Sequence, residues 1–416
     1  MPAHLVGVGV ASRVHGREYY EHLWEEFRGV LQSLGIEPLG VATGPEDVER
    51  LASRLAEADG VFIAVLTGGS SGVARRVAAA ARGKPVVLLA HGYHNSLASA
   101  LSAKSRLEAE GYPVYLVEAL RPSDVIDEAA VAARAVRAVA ELRRAKVLEL
   151  YAERPAGEGL EAAKRLGFRL ESVAPAELEK MLAEADVESV KRYLSQHFDM
   201  GGVDEQLVDG PARLAAAARR VALERGASAV TIDCFPFIVS KGYTPCLMMS
   251  YLLDEGIVAV CEADYRALIL MMLAKSLTGK PGWIANPSHY DPSDNTLILS
   301  HCTAASSLGE YATLIPHFET GRPYAVHVRL EPGIYTMAAL SPRMDRLAYA
   351  LVEVVESGMF TGGRCRTQVK VKFVEEENPD PFNVKAVSNH HVLMKGDVRR
   401  ELRIAAKMLG IEPEPY

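Results

Sequence analysis

Residues 1–145 alternate between short apolar runs and longer stretches with apolar positions at helical spacing. "HLVGVGVA", "EPLGVA", "GVFIAVL", "KPVVLLA" and "YPVYLVEA" read as strands. Between them, "REYYEHLWEEFRGVLQSLG", "GPEDVERLASRLAEA", "SSGVARRVAAAARG" and "HNSLASALSAKSRLEAEG" carry the three-to-four-residue period of helices. Strands alternating with helices predict parallel βαβ units and an open, doubly wound sheet. The helix "SDVIDEAAVAARAVRAVAELRRA" leads out of this region.

A second series opens at Lys146 with the strand "KVLEL". It continues through helical stretches to "SAVTIDCFPF", and then to "VAVCEADYRALILMML", where a strand ending near Cys261 turns directly into a helix. That helix stops at "TGKP", with Gly279 past its last turn. The next segment, "GWIANPSHYDPSDNTLILSHC", has turn residues from Asp291 to Asn295 between two apolar arms. Folding that hairpin about Ser293 sets Asn286 opposite Ser300, one residue from His301. From Gly321 the pattern changes to alternating, β-branched runs separated by turns, which predicts a small antiparallel sheet or barrel and a final helix. The expected domains are 1–145, 146–315 and 316–416.

Composition narrows the class. About half of the 416 residues are apolar, a quarter are charged, and the net charge of −7 is dispersed along the chain. That pattern gives no electrostatic case for nucleic acid or an anionic membrane. No apolar run is long enough to suggest a membrane span, and the N-terminal apolar run is too short for a secretory segment. The expectation is a cytoplasmic protein. The five cysteines are scattered and form no CxxC pair, against a disulfide framework or a zinc knuckle.

The chemistry concentrates in three places. Glu262 and Asp264 sit where an apolar strand feeds an apolar helix, and a desolvated carboxylate there needs a partner. The strand ending at Cys261 is expected in the same sheet as the hairpin, because consecutive elements are usually adjacent. Glu262, Asn286 and His301 then gather at one edge, and "SNHHVLMKGD" supplies Asn389, His390 and His391 from downstream. A mixed oxygen and nitrogen set suits manganese, magnesium or cobalt and is too poor in sulfur for structural zinc. Each residue also has a plainer role open to it. Glu262 can serve the helix dipole, His301 can be a core histidine, and one of His390 and His391 must face away on a strand. The turn "TGGSSG" (Thr67 to Gly72) could cradle an anion, or be a tight βα turn that needs small residues.

The segments "LLDEGIVAVCEADYRALI", "TGKPGWIANPSHYDPSDNTLILSHCTA", "GRCRTQVKV" and "SNHHVLMKGDVRRELRIAAKMLGIEP" resemble the L-fucose isomerase and L-arabinose isomerase superfamily in content, order and spacing. The resemblance implies a Rossmann-like first domain, a second α/β domain and a small C-terminal domain containing an antiparallel β-barrel. It implies a homotrimer or homohexamer with active sites at subunit boundaries. It also implies a divalent cofactor, typically manganese, with magnesium or cobalt as alternatives, and interconversion of an aldose and a ketose. Glu262 matches the metal-binding catalytic carboxylate. Asn286 falls where fucose isomerases carry a second, aspartate ligand, and it is an amide here. His390 matches the C-terminal ligand, while the arabinose-isomerase pattern allows His391 and adds His301. Arg13, Arg17, His94 and Asn389 are the expected contacts to a monosaccharide. The alternative reading is a sugar-binding or regulatory relative with a degenerate site, which Asn286 favours.

Overall fold

In the computed structural model, residues 3–374 and 382–416 are described, and they divide into two compact units. The first comprises Met1–Glu141 and Arg400–Ile411. Its five strands are β1 (Leu5–Val10), β2 (Glu37–Ala42), β3 (Gly60–Val65), β4 (Val86–His91) and β5 (Val114–Ala119). They form one parallel sheet in the order β2-β1-β3-β4-β5. The runs LVGVGV, GVFIAV and VVLLAH are buried throughout, as strands covered on both faces must be. Helix Pro45–Glu57 starts on a proline followed by Glu46 and Asp47, which suit a helix N-terminus, and turns Val48 and Leu55 to the core. Within this unit the late segment is tied on by Arg134, whose Nε lies 3.0 Å from Oε1 of the buried Glu401.

The second unit, Leu142–Arg399 with Glu412–Tyr416, holds two larger sheets. Strands β6 (Lys146–Leu150), β7 (Arg169–Val173), β8 (Ala229–Ile232) and β9 (Val258–Cys261) form a parallel sheet ordered β7-β6-β8-β9. The hairpin is not part of it. Strands β10 (Trp283–Asp291) and β11 (Thr296–His301) are followed by a separate two-stranded sheet, β12 (Gly309–Ile315) with β13 (Ala325–Leu330). Then come β14 (Gly333–Leu340), β15 (Arg346–Gly358), β16 (Thr367–Phe373), β17 (His391–Lys395) and β18 (Glu412–Pro415). The order β14-β17-β10-β11-β16-β15, with β14 also paired to β15, closes six antiparallel strands into a barrel, and β18 adds to β15 in parallel. Closure removes the exposed edges that such short strands would otherwise present.

The link between these sheets is helix Tyr265–Thr278, which leaves the end of β9 and packs against β17 and β14 of the barrel. It is apolar around its whole circumference, with Leu268, Ile269, Leu270, Met271 and Leu273 all buried, as a helix between two layers requires. Its N-terminus therefore meets the start of β17. No helix among the described residues is long and apolar enough to cross a membrane.

Candidate active site

The strand-to-helix turn after β9 is tight. Glu262 and Ala263 adopt left-handed conformations, with φ of 60° and 46°. Each such non-glycine residue costs about 1–3 kcal/mol and persists only where the surroundings enforce it. Here the Ala263 amide donates to the Ile232 carbonyl at 3.1 Å, and the Asp264 amide to the Cys261 carbonyl at 3.3 Å. Asp264 then caps the helix, accepting from the amides of Arg266 and Ala267 at 2.8 and 3.0 Å. Its carboxylate also takes the Arg266 guanidinium on both oxygens, Nε at 3.2 Å and Nη2 at 2.9 Å.

A further partner of Asp264 is His390, whose Nδ1 lies 2.7 Å from Oδ2. Burial alone would raise the Asp264 carboxyl, but the hydrogen bonds from His390 and Ala267 and the charges nearby bring it well below the ordinary carboxylate range. The ionised Asp264 accepts from Nδ1 of His390 and so turns Nε2 of that ring toward Glu262. That Nε2 is fully buried and has no hydrogen-bond partner among the described residues. Oε2 of Glu262 stands 3.6 Å from it, and Oε1 of Glu262 stands 3.7 Å from Nε2 of His301. The two imidazoles have ring centroids 5.6 Å apart.

Burial raises the Glu262 carboxyl above the usual glutamate value, opposed by the nearby His390. Burial, then the proximity of His390, depresses His301 to about 3. Glu262 is thus a partly exposed carboxyl group facing a neutral His301 on one side and the His390 ring on the other. A buried imidazole nitrogen without a partner is costly. A divalent cation between Glu262, His301 and His390 would give that nitrogen a partner and offset the desolvation of the carboxylate. The Asp264–His390 pair has the form of the outer carboxylate support found behind metal-bound histidines.

The other expected residues divide. Asn286 pairs with Ser300 in the hairpin, and its Oδ1 accepts from Nδ2 of Asn389 at 3.5 Å. Ala285 pairs with His391, so one step further the antiparallel register sets Asn286 beside His390. His391 turns away. Its Nδ1 meets the Asn389 carbonyl at 3.2 Å and its Nε2 the Tyr416 hydroxyl at 2.6 Å, so both nitrogens are occupied away from Glu262. His391 as an alternative ligand is therefore corrected to a core histidine, because successive strand residues face opposite sides. Asp291 is held in the hairpin turn by the amide and hydroxyl of Ser293, at 2.9 and 2.6 Å.

Arg13, Arg17 and His94 belong to the first unit. Arg13 reaches Glu46 at 3.4 Å, Arg17 is exposed and pairs with Glu21, and His94 bonds the Tyr19 hydroxyl. The glycine turn there is internally satisfied. The Gly68 amide donates to the His94 carbonyl at 2.7 Å, and the Ser70 hydroxyl to the Thr67 carbonyl at 2.7 Å.

The pattern along the chain gave no sign of Cys261 at the site. Its Sγ lies 3.8 and 3.7 Å from Nδ1 and Nε2 of His301. Donor atoms of Cys261, Glu262 and His301 lie within 4.8 Å of one another, a group that could hold a metal ion. Asp264 is the other surprise, since its place on the helix cap hides that the same carboxylate reaches β17.

No family model matches the chain. It is similar to the sulfoquinovose isomerase of Clostridium sp. (strain MSTE9), 26% identical over 77% of this chain and 76% of that protein. It is also similar to the sulfoquinovose isomerase of Priestia aryabhattai, 26% identical over 45% of this chain and 44% of that protein. That of Alkalicoccus urumqiensis is 24% identical over 50% of this chain and 48% of that protein. The chain thus spans about half the length of the latter two relatives. These similarities support a sugar isomerase, an enzyme of the intramolecular oxidoreductase class.

Proposed function

We propose that the chain is a metal-dependent aldose–ketose isomerase of the fucose and arabinose isomerase type, acting on a monosaccharide through an enediol. The observation that carries this reading is the unpartnered Nε2 of His390, buried opposite the Glu262 carboxylate. Glu262, His301 and His390 would hold a divalent ion such as manganese, with the Asn286 amide oxygen as a further neutral donor. Such an ion would supply Lewis-acid polarisation of the sugar carbonyl.

The protein's own groups do the remaining work. The Glu262 carboxylate takes the proton from C2 of the aldose and returns it to C1 while the O2 hydroxyl proton passes to O1, a general-base step worth roughly 10²- to 10⁴-fold. Asp264 is taken up by His390, Arg266 and the helix cap, so it holds His390 in place and is not a second acid. Single-base transfer by Glu262 follows. Sulfoquinovose, the sugar in the relatives' names, is the first substrate to try, with L-fucose and L-arabinose beside it.

The test is a ketose assay on these sugars with chelator-treated protein, then with manganese, magnesium or cobalt restored. Turnover that needs the ion and vanishes in Glu262→Gln supports the reading. Full turnover in chelator, or in Glu262→Gln, overturns it.

A further inference from the structure

We propose that Cys261 is a ligand of the same ion, which makes the site a sulfur, nitrogen and oxygen set that prefers a borderline ion such as zinc or cobalt(II) over manganese. This rests on the metal reading above and adds the identity of a donor. In a strand that runs on, residues 261 and 262 would point to opposite faces. The left-handed turn at Glu262 and Ala263 breaks that alternation. It lets two adjacent side chains, a thiol and a carboxylate, converge on one imidazole.

The separations suit a shared ion. Cys261 Sγ to His301 Nε2 is 3.7 Å, Glu262 Oε1 to His301 Nε2 is 3.7 Å, and Glu262 Oε2 to His390 Nε2 is 3.6 Å. A tetrahedral ion with metal–sulfur bonds of about 2.3 Å and metal–nitrogen or –oxygen bonds of about 2.0–2.1 Å sets its donors roughly 3.3–3.6 Å apart. These gaps are a few tenths of an ångström wider, and the donor atoms of Cys261, Glu262 and His301 all lie within 4.8 Å of one another. Moreover, among the described residues the buried His301 ring has the Cys261 sulfur as its hydrogen-bonding partner and no oxygen. Both rings thus keep a nitrogen available for an ion.

Manganese and magnesium favour oxygen donors, whereas a thiolate shifts preference toward zinc and cobalt. The ligand is the thiolate, so binding displaces the Cys261 proton to solvent. Burial raises the Cys261 thiol as it does that of Cys234, so the ion itself must draw the proton from Cys261, while Cys302 is engaged with Cys365 and His317.

The experiment loads the full-length protein with cobalt(II) and records its absorption. A thiolate-to-cobalt charge-transfer band is expected in the near ultraviolet, lost in Cys261→Ser and kept in Cys234→Ser. Zinc-against-manganese competition should favour zinc in the wild type, and the preference should fall about tenfold or more in Cys261→Ser. If that variant does not fold, X-ray absorption of the zinc-loaded wild type decides alone, one sulfur at about 2.3 Å supporting the proposal and none refuting it. Cobalt bound without the band, or a band that survives Cys261→Ser, also refutes it. Manganese-dependent turnover with no sulfur signature would sink this inference while leaving the isomerase reading intact. Absence of any bound ion would sink the metal reading and this inference together.

Discussion

Nδ1 of His390 lies 2.7 Å from Oδ2 of Asp264, and this one contact joins the cap of a helix to the start of a barrel strand. It turns Nε2 of His390 toward Glu262. Asp264→Asn keeps the helix cap but loses the charge that holds the imidazole. Divalent-ion affinity should fall by roughly 10- to 100-fold, the usual effect of losing an outer carboxylate. Isothermal titration of the chelated protein with manganese and with cobalt measures this. Unchanged affinity would mean that Asp264 serves the fold alone.

The adjacent histidines should separate cleanly. His390→Ala should abolish retention of an ion through dialysis, with the fold intact by circular dichroism. His391→Ala should retain the ion and instead lose stability, since the Tyr416 hydroxyl would be left buried without its partner. The expected cost is about 1–3 kcal/mol in urea unfolding. The reverse pattern would mean that the ion sits on the other face of the strand.

Asn286 brings an amide oxygen and no charge. Asn286→Asp should tighten manganese binding, because a charged oxygen then stands beside His390. Titration of the variant against wild type checks this, and weaker binding would place residue 286 outside the ion's reach.

Acid should destabilise the metal-free protein from about pH 6.5 downward. His91, His301, His327 and His391 are all depressed, first by burial, His301 to about 3 and His391 to about 4. Below pH 6.5 the unfolded chain takes up protons that these folded histidines refuse, so stability is whole above that pH and lost as pH falls. Well below pH 6.5, His301 and His391 each add up to about 1.4 kcal/mol per pH unit to the slope, and His91 and His327 act in the same direction. His317, raised chiefly by its Cys302 bond against the effect of burial, acts in the opposite sense. Urea midpoints from pH 8 to 5.5 should fall, and less steeply in His91→Gln. Midpoints that stay flat through this range would contradict the burial of neutral imidazoles.

Gly159 and Tyr265 approach each other closely in the second unit. A Cβ on Gly159 would lie 2.3 Å from Cζ of Tyr265, the residue after Asp264, whose hydroxyl donates to Glu149 at 2.6 Å. Gly159→Ala must push that ring aside, at a cost of about 1–3 kcal/mol. Thermal denaturation would show the loss, and an unchanged midpoint would mean that the ring yields freely.

The chain's own pattern was enough for the parallel sheet of the first unit, because strands buried on both faces leave uninterrupted apolar runs that need no tertiary information to find. It was also enough for the hairpin, where the turn from Asp291 to Asn295 sets Asn286 opposite Ser300. Local pattern could not choose between His390 and His391. Both are buried, and only the helix packed against β17, with Asp264 at its cap, decides which side of the strand carries the site. The same holds for Cys261. Strand alternation would send it away from Glu262, and the two left-handed residues that reverse this are alanine and glutamate, neither a residue that announces such a turn. Closure of the barrel through β14 and β15, and the return of Arg400–Ile411 to the first unit, are long-range pairings. Nothing in the nearby sequence encodes them, because their energy comes from surfaces that meet only once the whole chain has folded.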